Sequence, residues 1–139
     1  MTVFARLDDA PLDLGFHVEQ TSGPRAGAVA TFVGTVRDHD PAVEGTVVAL
    51  EYSAHPDAAD VLRAIAEKVA AERGVLAVAV SHRVGHLRVG EPAIVAAVSS
   101  EHRAEAFDAC RALVEAVKAE LPVWKREVLA DGSHVWVGL

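Results

Sequence analysis

Cysteine occurs once in the 139 residues, at Cys110, so no internal disulfide can staple this chain. Aromatic residues are scarce at 5%, and the two tryptophans, Trp124 and Trp136, are read as core or interface residues rather than stacking platforms. No apolar run approaches the ~20 residues of a membrane-spanning helix. The opening "MTVFARLDDAPLD" places acids where a signal peptide needs an apolar stretch, so a soluble, cytoplasmic protein is expected. Basic excess is also missing. A net charge of −7 argues against nucleic acid and against an anionic membrane surface as partners. Neither a Walker loop nor a Gly-x-Gly-x-x-Gly fingerprint is present. What the chain does have is apolar material, 51% of it and mostly Ala and Val, enough to bury the core of one domain spanning residues 1–139.

The pattern along the chain is mixed. "TVFARL" reads as a strand, "PLDLGFHVEQ" as a helix or turn, and "TSGPRAG" as a loop. "AVATFVGTVR" (28–37) and "TVVALEYSA" (46–54) are β-branched strands flanking the polar loop "DHDPAVEG". A helix starts at Pro56 and Asp57 and ends at Gly74, burying Val61, Leu62, Ile65 and Val69. Two further strands, "VLAVAVSHRVG" and "PAIVAAVSS", are joined through "GHLRVGE". A second long helix from about Glu101 to Leu121 would face its core with Phe107, Cys110, Val114, Val117 and Leu121, until Pro122 stops it. "VWKREVL" and "HVWVG", around a "DG" turn, complete an α+β fold: a mainly antiparallel sheet carrying two long helices.

The cations sit in unusual places. In "SSEHRAEAF", His102 and Arg103 occupy a helix start, where exposed N–H groups and the macrodipole favour acids. Solvent-facing side chains would account for one such residue. A pair directly after two potential capping serines makes more sense if an anion binds there. Lys118 suits the negative end of the same helix, so the dipole alone can explain it. Lys125 shares a strand face with Val123, Glu127 and Leu129, and the spacing leaves open whether it snorkels or is buried and paired. Arg37 stands at the mouth of the polar loop. Cys110 has no evident base beside it. Among seven histidines only His82 and His86 have ligand-like spacing, without a third ligand, so neither a metal nor any other cofactor is expected.

"GAVATFVGTVRDHD", "LEYSAHPDAA", "SHRVGHLRVGE", "VSSEHRAEAFDAC" and "VKAELPVWKRE" occur in the order and spacing of one family. From about Gly27 to Trp136 the chain resembles the large, catalytic subunit of molybdopterin synthase. The most specific signatures are "SxxHRxxAF" and the lysine pair Lys118 and Lys125. The resemblance implies an α/β hammerhead-like fold and a sulfurtransferase that turns cyclic pyranopterin monophosphate into molybdopterin. The two dithiolene sulfurs would come from the C-terminal Gly-Gly thiocarboxylate of a small ubiquitin-like partner subunit. A central homodimer with one small subunit at each end, a heterotetramer, is also implied. Carried over by motif, Arg37, His102 and Arg103 would hold the phosphate and pterin. Lys118 and Lys125 would flank the sulfur-transfer point, one stabilising an oxyanion and one moving a proton, with Glu127 setting the charge state of Lys125.

Two other readings compete. A phosphate-ester hydrolase could use the same cations and Glu127, but would need an activated water and a metal for which ligands are lacking. A non-catalytic module for a ubiquitin-like tail would not need both lysines.

Overall fold

The structure is a computed structural model that describes residues 2–138. In chain order the elements are β1 (Thr2–Asp8), α1 (Leu14–Thr21), β2 (Ala28–Thr35), β3 (Val47–Ala54), α2 (Ala58–Ala70), β4 (Val75–Arg83), β5 (Gly85–Arg88), β6 (Pro92–Ser100), α3 (Arg103–Glu120), β7 (Val123–Leu129) and β8 (His134–Gly138). They form two four-stranded sheets, ordered β1-β4-β6-β2 and β5-β3-β7-β8. Only β1 and β4 run parallel; every other pairing is antiparallel. The α+β class expected from the sequence is the one observed.

The first sheet is covered on both faces. Its central strands β4 and β6 are buried almost throughout, which is why "LAVAV" and "AIVAAV" read as continuous apolar runs rather than alternating ones. On one face α2 and α3 pack through Leu62, Ile65, Val69, Leu113, Val114 and Val117 against Val78, Val80, Ile94, Ala96 and Val98. Much of this layer is alanine: Ala58, Ala66 and Ala96 are wholly buried in it. Such short side chains let backbone layers approach closely at interior density. On the other face lies α1, with Asp13 Oδ1 accepting from Gly15 N at 3.0 Å at its start. His17 reaches the strand beneath, its Nε2 standing 2.7 Å from Ser81 Oγ.

Several boundaries and faces differ from the sequence reading. Ser99 and Ser100 belong to β6, and the cap of α3 is His102, which makes no side-chain capping bond. Ser100 instead donates its hydroxyl to the His102 carbonyl. Phe107, expected in the core stripe, is 66% exposed and Ala106 takes its place, while Cys110, Val114, Val117 and Leu121 are buried as expected, joined by Leu113. Trp124 and Trp136 are also exposed rather than core, on the outer face of the second sheet, where the Arg126 guanidinium lies 5.8 Å from the Trp136 ring centre. Arg126 pairs there with Glu51 of β3. The link "GHLRVGE" contains β5, a short strand that pairs with β3.

The two sheets meet where α3 ends. Leu121 closes the helix, Pro122 accepts from His55 N at 3.0 Å through its carbonyl, and β7 begins at once in the second sheet. A small cluster of Val36, Val47, Leu50, Leu87, Ala93 and Leu129 seals this seam. The last turn of α3, the end of β2 and the start of β7 therefore converge.

Candidate functional site

At that convergence the seam opens into a cavity of about 360 Å³. Its floor comes from Phe32 and Gly34 of β2 and Ile94 of β6. A Cβ on Gly34 would stand 2.7 Å from Ile94 Cγ2 and 3.2 Å from the Phe32 ring, so only glycine leaves this floor undisturbed. Three cationic side chains line the walls: Arg37 just beyond β2, Lys118 in the last turn of α3, and Lys125 on β7. Each comes from a different element, which is why no single motif displays the group.

Strand alternation then decides what accompanies Lys125. It pairs with Tyr52 of β3 and shares its face with Glu127, two residues on. Lys125 Nζ lies 3.7 Å from Glu127 Oε1 and 3.9 Å from Asp40 Oδ2, and its side chain is 23% exposed. The lysine is thus half-buried and paired, the alternative that spacing alone left open. Glu127 is 1% exposed, and its Oε2 is buried without a partner. Burial, then the adjoining Asp40 carboxylate, push Glu127 up to about 7 against the pull of Lys125. Asp40 moves the other way, lowered by the neighbouring Glu127 carboxyl and by the Ala42 N–H donated to Oδ1 at 2.8 Å. The pair has the divergent titration of two carboxyls sharing one proton.

Tyr52 and His82 complete the polar lining; the sequence offered His82 only as half of an incomplete metal-ligand spacing, and Tyr52 not at all. Burial and the charge of Glu127 raise the Tyr52 phenol to about 12, so it remains a neutral donor. His82 meets it edge-on, ring centres 5.0 Å apart. The His82 Nδ1–H donates to the Arg83 carbonyl at 2.7 Å, leaving Nε2 as an acceptor. Burial, then the charge of Lys118, lower its proton affinity and keep the ring neutral. The cavity can therefore hold an anion through three cations and orient it with neutral donors and acceptors. Its carboxyl pair can exchange protons near neutrality.

His102 and Arg103 do not enter this cavity. The expected single pocket of five cations is not formed within one chain, because α3 separates them. Arg103 and Lys118 stand at opposite ends of that helix, about 22 Å apart along its axis. His102 borders a separate shallow hollow with Gly74 and Glu105, beside an Arg25–Glu101 ion pair.

An α+β protein whose cavity gathers three cations with a buried glutamate and a partly buried aspartate is built to hold a small anion and to exchange a proton beside it. The comparisons specify the family. Residues 7–120 match the family model described as MoaE protein. The chain is 40% identical over 136 residues to "Molybdopterin synthase catalytic subunit 1" of Mycobacterium tuberculosis, covering 97% of this chain and 90% of that one. A "Molybdopterin synthase catalytic subunit" of Thermoplasma volcanium is 38% identical, covering 93% and 91%. The solved molybdopterin synthase of Staphylococcus aureus superposes with a TM-score of 0.86 at 30% identity, covering 96% of both chains. The chain belongs to the MoaE family of molybdopterin synthase catalytic subunits, enzymes of molybdenum cofactor synthesis.

Proposed function

We propose that the cavity lined by Arg37, Lys118 and Lys125 is where cyclic pyranopterin monophosphate receives its two dithiolene sulfurs. The observation that carries this reading is the convergence of three cations and one acid pair in a single cavity of small-molecule size. Phosphate and thiocarboxylate are both anions, so the charge suits each reactant. The sulfur donor is the Gly-Gly thiocarboxylate tail of a small ubiquitin-like subunit. The solved "subunit 1 and 2" complex of the Helicobacter pylori molybdopterin-converting factor has the same fold at 20% identity.

Roles follow from position. Lys118 has no ion-pair partner among the described residues, so its ammonium is available to an oxyanion on the tetrahedral adduct at the tail's acyl carbon. Lys125 touches the carboxyl pair and has a route for its proton. Arg37 anchors the phosphate. His102 and Arg103 contribute only if a second copy presents its α3 start to this cavity, which makes the working unit a homodimer, flanked by two small subunits in a heterotetramer. The compartment is the cytoplasm.

Lys118→Ala and Lys125→Ala should each slow dithiolene formation at least about 100-fold in a mixture with thiocarboxylated small subunit and cyclic pterin, with small-subunit affinity nearly unchanged. Near-normal turnover in either variant would refute the lysine roles.

A further inference from the structure

Two carboxyl groups inside a cavity that receives anions are an electrostatic contradiction unless they do not both ionise. Asp40 sits in the loop after β2, its Oδ1 taken by the Ala42 N–H, so that Oδ2 faces Lys125 and Glu127. The loop is fixed at that point: Val43 N donates to the Asp40 carbonyl at 3.1 Å and Val47 N to the Asp38 carbonyl at 2.9 Å. Lys125 lies 3.7 and 3.9 Å from the two carboxyls, within ion-pair reach of both, so a single ammonium faces two carboxyls and cannot balance both charges. An ionised Glu127 would keep a buried, unpartnered Oε2 at a cost of several kcal/mol in desolvation.

We propose that Asp40 is a positioning residue: its carboxylate accepts a hydrogen bond from a protonated Glu127, so the pair sets one negative charge, not two, against the ammonium of Lys125. With Arg37, Lys118 and Lys125 present, sharing the proton leaves the cavity at +2, whereas two carboxylates would leave it at +1. The other titratable groups facing the pair do not take over its role. Tyr52 on β3 holds its proton and His82 on β4 is neutral; Arg37 and His39 of the loop and Lys118 of α3 line the remaining wall. Glu127 therefore changes the cavity's charge near neutrality, and Asp40 sets where it does so. The consequence for turnover rests on the sulfur-transfer reading; the shared proton itself does not.

The test is a ¹³C-carboxyl NMR titration of the intact protein, with Glu127→Gln identifying the resonance. Glu127 is expected to titrate near neutrality in the wild type. In Asp40→Asn, whose amide can donate to an ionised Glu127, its proton affinity should fall at least about tenfold. Asp40→Ser, which keeps an oxygen for the Ala42 N–H, repeats the measurement with a smaller group if the asparagine variant does not fold. A wild-type midpoint in the ordinary carboxylate range, or one unmoved by either substitution, would overturn the proposal. In the reconstituted synthase, the KM for the cyclic pterin should rise between pH 6 and 8.5 at least about threefold more in the wild type than in Asp40→Asn. Equal rises would also overturn it. The expected titration without dithiolene formation by the wild type would leave the proton-sharing pair standing and defeat the functional reading instead.

Discussion

Glu127 shows how much of a site one residue can carry without announcing itself. In "VWKREVL" it is one acid among charged neighbours, and strand alternation puts it on the face of Lys125, which the sequence discloses. Its depth and its partner Asp40 are not disclosed, because 87 residues separate the pair and the loop carrying Asp40 has no periodicity to read. The place of Tyr52 and His82 in this cavity was hidden for a similar reason: each sits in an ordinary strand, and only the meeting of two sheets turns them toward one space. The raised proton affinity of Glu127 also sets a stability dependence. The folded state holds its proton up to about 7 while the unfolded chain releases it near 4.5, so the fold loses stability as pH rises through that window. Glu127→Gln removes the effect. The variant's thermal midpoint should match the wild type near pH 5 and exceed it at pH 8, by the equivalent of about 2–3 kcal/mol. A variant less stable than wild type at pH 8 would show that the glutamate is satisfied there as an anion.

At the scale of elements, α3 does the arranging. Its spacing marked a helix and Pro122 marked its end, both legible because a 3.6-residue repeat and a proline act locally. The face was misjudged at Phe107, since an aromatic beside a stripe of alanines outweighs them in any hydrophobicity pattern, yet the alanines are what fit against β6 and β2. The consequence is measurable. Leu113→Ala, in the wholly buried stripe, should cost about 2–5 kcal/mol in denaturant unfolding. Phe107→Ala should cost less than about 0.5 kcal/mol in the isolated chain. The opposite ranking would mean that the helix is rotated. The same helix sets the reach of the site: Lys118 at its end joins the cavity, while His102 and Arg103 at its start are carried a full helix length away. Proximity in a motif therefore overstated proximity in space.

Over the whole molecule, an acidic chain concentrates positive charge at the one place where two sheets and a helix end meet. The α+β class and most strands followed from β-branched runs and turn residues. The division into two sheets did not, because β3 and β7 are 69 residues apart and a strand's own pattern does not name its partner. On the proposed reading, His102 and Arg103 of the "SxxHRxxAF" signature act only across a pair of chains, and that is the claim to test. Lys118→Ala and His102→Ala/Arg103→Ala chains, each inactive alone, should be mixed in equal amounts, allowed to exchange subunits and assayed for dithiolene formation with the thiocarboxylated partner. If one cavity is built from two copies, half the dimers contain a single intact site, and activity should return to about a quarter of the wild-type level. No recovery despite verified subunit exchange would contradict the shared cavity, because both sets of cations would then be required on the same chain.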